Sequence, residues 1–131
     1  MRIIIAEDER LIAMALEVVL RDLGHEVQAV CPSGTSCVQK TRELRPDLVF
    51  LDICMETRTA GIDAAREIRT FADAAVIYTT AYDDPQTKSA AAETAPAAFL
   101  VKPLRPEDIE TALRSLGTEA SDPGDAGTRP R

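Results

Sequence analysis

Five short apolar runs punctuate the chain, separated by longer stretches with helical spacing. Ile3-Ile4-Ile5-Ala6, Val27 to Val30, Leu48-Val49-Phe50-Leu51, Ala75 to Thr79 and Ala98-Phe99-Leu100-Val101 are four or five residues long. Continuous apolar runs of this length suit strands covered on both faces, as in a parallel sheet. Between them the spacing predicts helices over 9–23, 34–44, from Ile62 through Ile68, over the Ala-rich 84–94, and from Pro106 to Gly117.

Punctuation supports these bounds. Gly24 suits a helix stop and Pro46 ends the second helix, because the residue before a proline disfavours the helical region. Glu107 and Asp108 fall in the first turn of the last helix, where carboxylates complement the macrodipole. In the first helix Arg10, Glu17 and Arg21 share one polar stripe and the rest is largely apolar, so it is expected to be buried over most of its girth. Residues 53–61 read as a polar loop closing at Gly61, and 118–131, rich in Gly, Pro, Ser, Thr and charge, as a disordered tail.

Five strands alternating with five helices imply an α/β fold, a parallel sheet with helices on both faces. One domain is expected over 1–117. Only 4% of residues are aromatic, so aliphatic side chains must fill the core. The formal net charge is −7 without a basic stripe, which argues against direct nucleic-acid binding. No stretch approaches the roughly 18 apolar residues of a membrane span. Three cysteines without C-x-x-C spacing speak against a disulfide framework or zinc site, and point to a reducing cytoplasm. Cys31 and Cys37 read as packing or surface residues, and His25 as a turn residue away from any site.

In open α/β sheets the functional site lies beyond the carboxyl ends of the strands. There the chain places Glu7-Asp8 with Glu9 behind, then Asp52, Thr79-Thr80, and Lys102 followed by Pro103. Three carboxylates brought within a few ångströms repel one another strongly in a partly dry cleft. A divalent cation and the lysine would cancel that charge, and an all-oxygen pocket open to water suits Mg²⁺. Asp52 can then serve as nucleophile toward a phosphoryl group, with Thr80 and Lys102 holding its oxygens. Each residue alone has a blander reading: Asp52 as a loop acid, Glu7-Asp8-Glu9 as a helix-dipole cluster, Thr80 as a strand end, Lys102 as a solvated lysine, Phe99 as core.

Ala6-Glu7-Asp8-Glu9, Leu51-Asp52-Ile53, Thr80-Ala81 and Lys102-Pro103, in this order and each at a strand end, resemble the signature of bacterial two-component response-regulator receiver domains, of the single-domain, chemotaxis-regulator-like kind. The resemblance covers 2–117. It implies a flavodoxin-like five-stranded sheet of order 2-1-3-4-5 with helices on both faces. Asp52 resembles the phosphoacceptor and Asp8 the carboxylate bound directly to Mg²⁺. Glu7 would act mainly through water, Asp52 would join the metal shell, and the backbone carbonyl of Cys54 would complete it. Thr80 and Lys102 would contact the phosphoryl group, Thr80 and Phe99 would form the switch pair, and the Lys102-Pro103 peptide would be cis.

Some positions depart from the family pattern. Glu56 stands where the family commonly has proline, the loop to Gly61 is about one residue longer, and Pro96 replaces a frequent glycine. Cys54 and Tyr82 occupy positions that tune dephosphorylation in the family.

The function implied is that of a stand-alone phosphorelay receiver in the cytoplasm, not an enzyme with a substrate of its own. A histidine kinase or histidine phosphotransfer protein is the expected donor and a downstream protein the expected target. The initiating Met and the tail favour a receiver that acts alone over one cut from a larger regulator. An alternative is an aspartate-nucleophile phosphohydrolase of the haloacid-dehalogenase type, which typically needs a second acid where Cys54 stands. A flavin or nucleotide module would want a Gly-rich phosphate loop after the first strand, where acids stand instead.

Overall fold

The computed structural model describes residues 1–120, with side chains as far as residue 116. Five strands alternate with five helices: β1 Arg2–Ala6, α1 Arg10–Asp22, β2 Glu26–Cys31, α2 Gly34–Leu44, β3 Leu48–Asp52, α3 Ala60–Arg69, β4 Ala75–Thr80, α4 Pro85–Ala92, β5 Ala98–Val101 and α5 Pro106–Ala120. All pairings are parallel, in the order β2-β1-β3-β4-β5. The fold class and strand order are those expected from the sequence.

Each apolar run feeds two cores at once, because successive strand residues point to opposite faces. On one face Ile4, Val49, Leu51, Val76 and Tyr78 pack with Val38 of α2, Ile62, Ala65 and Ile68 of α3, and Ala91 of α4. On the other, Ile3, Ile5, Leu48, Phe50 and Ile77 pack with Ala13, Leu16 and Leu20 of α1 and with Ile109 and Leu113 of α5. All five residues of β3 are buried. Each large aliphatic side chain so buried contributes about 1.5–3 kcal/mol, which holds the sheet centre rigid beneath the polar residues at its edge.

Three expectations require correction. Helix α1 is not buried over most of its girth: it buries Ala13, Leu16 and Leu20, while Leu11, Met14 and Val18 are 80%, 54% and 58% exposed. In a three-layer sandwich a helix meets the sheet along one stripe only, and apolar composition does not enlarge that stripe. Gly61 does not close a loop but lies in the first turn of α3, which starts at Ala60. A Cβ on Gly61 would stand 2.2 Å from the Asp52 carbonyl oxygen, so only glycine lets the helix begin against the end of β3. Helix α5 runs past Gly117 to Ala120; a glycine costs a helix about 1 kcal/mol but stops it only in the left-handed conformation. Of the expected tail, 118–120 are thus helical and the rest lies outside the described residues.

Gly24, by contrast, does end α1, with φ +92°. Pro85 opens α4 behind Asp84, whose carboxylate accepts from Thr87 N at 3.0 Å. The irregular stretch at Pro96 is clamped by Arg69 of α3. Its guanidinium donates to the carbonyls of Thr94 (3.1 Å), Ala95 (3.3 Å) and Ala74. Ala95 has φ +55°, a conformation that a side chain resists, and these bonds help hold it there.

Candidate functional site

The carboxyl ends of β1, β3, β4 and β5 lie side by side. Ala6 pairs with Leu51, Asp52 with Thr79, and Thr80 with Val101. The polar residues named at the strand ends are therefore brought to one edge by register.

Glu7 follows β1, and its N–H donates to the Cys31 carbonyl at 2.9 Å, prolonging the ladder by one bond. This turns its carboxylate inward, where it is 3% exposed. Asp52, 5% exposed, faces it from β3. Lys102 reaches in from beyond β5, its backbone N–H fixed on the Thr80 carbonyl at 2.7 Å. Its ammonium sits 2.9 Å from Glu7 Oε1 and 3.1 Å from Asp52 Oδ2. The other oxygen of Glu7 accepts from Glu9 N at 3.0 Å. Asp8 is exposed at the mouth. Carboxylate oxygens of Glu7, Asp8 and Asp52 all lie within 4.8 Å of one another.

Burial, then the negative charge of Glu7, pushes the Asp52 carboxyl up to about 7, although Lys102 pulls the other way. Burial alone would lower the Lys102 ammonium, but its bond to Glu7 and the charge of Asp52 hold it above the usual lysine value. Three acids and one lysine leave two negative charges uncompensated when all are ionised. A hard divalent cation taking carboxylate oxygens and water fits that donor set; sulfur or imidazole is not among the groups facing it. Cys54 follows in the β3–α3 loop with its thiol turned to the Arg58 carbonyl at 3.2 Å.

Thr80 is buried at the end of β4, and its hydroxyl accepts the Tyr82 N–H at 3.0 Å. In this state Tyr82 thus holds the Thr80 oxygen through its own backbone, while its side chain stays 57% exposed. Phe99 is half-buried: its ring meets Tyr78 edge-on at 6.5 Å, and Lys88 Nζ stands 5.8 Å from its centroid. The peptide Lys102-Pro103 is cis, as expected. Cys31 and Cys37 are buried core residues. His25 lies at the amino-terminal end of β2, its Nδ1 2.9 Å from the Met1 nitrogen and remote from the acids.

Two relationships escaped the sequence reading. Glu56, noted only as a missing proline, places its carboxylate on the first turn of α2, accepting from Gly34 N (2.7 Å), Thr35 N (3.1 Å) and Thr35 Oγ1 (3.2 Å). Tyr78, read as part of a strand, hydrogen-bonds Thr94 at 2.7 Å and ties β4 to the end of α4. Neither bond has a local signal, since the partners stand 16 or more residues apart.

A parallel sheet of order 2-1-3-4-5, with an acidic cluster and a lysine at its carboxyl edge, defines a phosphorelay receiver class of α/β domain. Residues 3–114 match the response regulator receiver domain, and the chain belongs to that family. It is 37% identical over 112 residues to the transcriptional regulatory protein PdtaR of Mycobacterium tuberculosis, covering 86% of this chain and 54% of that protein. The phyllosphere-induced regulator PhyR of Methylorubrum extorquens is 34% identical over 112 residues, covering 85% of this chain and 41% of the regulator. The chain spans about half the length of such curated relatives. Among solved structures, the signal receiver domain of a modulated diguanylate cyclase from Desulfovibrio desulfuricans superposes with TM-score 0.79 at 27% identity, covering 86% of this chain and 90% of the other. The receiver domain of response regulator NarL from Mycobacterium tuberculosis gives 0.82 at 22% identity, over 89% and 95%, a likeness of fold. The chain is thus a signalling domain of response regulators, and the phosphohydrolase alternative finds no support. Among the described residues no helix is long and apolar enough to cross a membrane.

Proposed function

We propose that this chain accepts a phosphoryl group on Asp52 from the phosphohistidine of a sensor kinase or histidine phosphotransfer protein in the cytoplasm, and thereby switches a surface that binds a downstream protein. The observation that carries the reading is the placement of the Lys102 ammonium between Asp52 and Glu7, with Asp8 at the mouth.

An Asp52 oxygen forms the new O–P bond as the N–P bond of the donor breaks, the electron pair returning to the imidazole. Asp52 must be ionised to attack, and Lys102 favours that form. Mg²⁺ would be held by Asp8, Asp52 and the Cys54 backbone carbonyl, with Glu7 through water, and would supply charge neutralisation and a contact for a phosphoryl oxygen. Lys102 pairs with another oxygen. The third oxygen accepts from the Thr80 hydroxyl, and this charge-assisted bond draws the hydroxyl toward the phosphoryl group and away from the Tyr82 N–H that donates to it here. Moving Thr80 frees the segment that follows β4, and Phe99 on the adjoining strand repacks with it. The chain's part is acceptance and loss of its own phosphoryl group, not turnover of a substrate. Neither direct nucleic-acid contact nor a membrane enters this reading.

The test is incubation of the protein with Mg²⁺ and acetyl phosphate, or with a phosphorylated histidine phosphotransfer domain. The expected product carries one acid-labile phosphoryl group, lost in Asp52→Asn and with chelator. Equal labelling of Asp52→Asn would overturn the assignment of the acceptor.

A further inference from the structure

We propose that Glu56 is a positioning residue: its carboxylate fastens the β3–α3 loop to the first turn of α2 and so sets the place of the Cys54 carbonyl at the metal site. The inference rests on the reading of Asp52 and its neighbours as a Mg²⁺-dependent phosphoacceptor site.

The first turn of a helix presents backbone N–H groups with no partner inside the helix. In α2 they are fully assigned. Ser36 N donates to the Ser33 hydroxyl at 3.0 Å, Ser33 N donates to the Ser36 hydroxyl at 3.3 Å, and Cys37 N donates to the Ser33 carbonyl. The two that remain, Gly34 N and Thr35 N, are the two that Glu56 receives, one on each carboxylate oxygen, and the Thr35 hydroxyl adds a third bond. A side chain from a different element thus completes the cap, and the positive end of α2 favours its charge.

The rest of the loop shows why this bond matters. Its start is fixed by Ile53 N on the Thr79 carbonyl, and its end by Gly61 N on the Ile53 carbonyl. Between them the bonds from Cys54 Sγ to Arg58 O and from Met55 N to Thr57 O stay within the loop. Thr59 Oγ1 ties the end of the loop to Asp63 of α3 at 2.9 Å, and Glu56, two residues from Cys54, makes the side-chain tie to α2. The anchor is itself rigid. A Cβ on Gly34 would stand 2.8 Å from the Ala60 carbonyl, so α2 is seated directly against the start of α3. Glu56 thus joins the loop to an α2 tip that is itself seated on the start of α3. By linkage, a cation that orders the Cys54 carbonyl also orders the tip of α2.

The experiment is a Mg²⁺ titration of the full chain followed by backbone amide NMR. In the parent protein Gly34 and Thr35 amides are expected to shift with the same midpoint as Asp52 and Cys54. In Glu56→Ala the midpoint rises about ten-fold, and Gly34 and Thr35 no longer follow the cation. Glu56→Gln, which keeps one acceptor oxygen, falls between the two. Spectral dispersion across the sheet reports that each variant is folded. If Glu56→Ala binds with the parent midpoint, the positioning role is wrong while the metal site stands. If the parent itself shows no response at Asp52 and Cys54, the metal reading fails and the inference with it.

Discussion

Lys102 Nζ lies 3.1 Å from Asp52 Oδ2, joining residues 50 positions apart in the chain. The same ammonium reaches Glu7, so one cation holds two carboxylates that would otherwise repel in a nearly dry setting. This bridge makes the site tolerable in a folded protein and pulls the Asp52 carboxyl toward its charged form, against burial and Glu7.

Replacing Lys102 with Met leaves Glu7 and Asp52 facing one another without a counter-charge. The expected loss is about 1.5–3 kcal/mol at pH 7.5 in chelator, since the lost bonds are charge-assisted. Urea unfolding measures it, and added Mg²⁺ should recover part of it. A variant as stable as the parent would show that the bridge contributes nothing.

Asp52 predicts a pH dependence of the opposite sign to an ordinary paired carboxylate. Its folded value of about 7 lies above the value near 3.8 expected when unfolded. The folded state therefore binds the proton more tightly. The stability linked to that proton is complete below the unfolded value and is lost as pH rises through about 7. Asp52→Asn removes the charge, so its Tm in chelator should exceed the parent's by about 5 °C at pH 8, with the gap closing toward pH 4. Thermal unfolding across that range is the check, and a lower Tm for Asp52→Asn at pH 8 contradicts it.

Two glycines separate close approach from backbone conformation. Gly61→Ala must push a methyl into the Asp52 carbonyl and Ile53 Cα, both backbone atoms that cannot swing aside. It should cost about 3 kcal/mol and disturb the site as well as the fold. Gly24→Ala meets nothing within 4 Å and carries only its φ of +92°, a penalty of about 1–2 kcal/mol. Denaturant midpoints for the pair should rank in that order, and only Gly61→Ala should also impair phosphorylation.

Tyr78 and Thr94 fasten the end of α4, a helix that buries Ala91 alone, beside the Arg69 bonds to the Thr94 and Ala95 carbonyls. Tyr78→Phe keeps the ring and leaves Thr94 its bond to the Ala91 carbonyl at 2.7 Å. A loss of about 1 kcal/mol is expected, with faster amide exchange in α4 and the α4–β5 turn than in α1. Uniform exchange across the molecule would count against a local role.

Much of the fold could be read along the chain because its signals are local. Four or five consecutive apolar residues mark a strand wherever they fall, and a Gly or Pro acts on its immediate neighbours, as at Gly24 and Pro46. Alternation of strand and helix then forces a parallel sheet, and that geometry alone carries Glu7, Asp8, Asp52, Thr80 and Lys102 to one edge. The sequence by itself therefore determined the architecture and which strand-end residues share an edge. Packing decided the rest. It selected Ala13, Leu16 and Leu20 as the buried stripe of α1 and left Leu11, Met14 and Val18 in water, because one sheet face offers one line of contact. It carried α5 past Gly117, placed the Lys102 ammonium between two acids, gave the Thr80 hydroxyl to Tyr82 N, and set Glu56 on the tip of α2. Each of these depends on distances between segments that are far apart in sequence, and such distances exist only once the two cores have closed around the sheet.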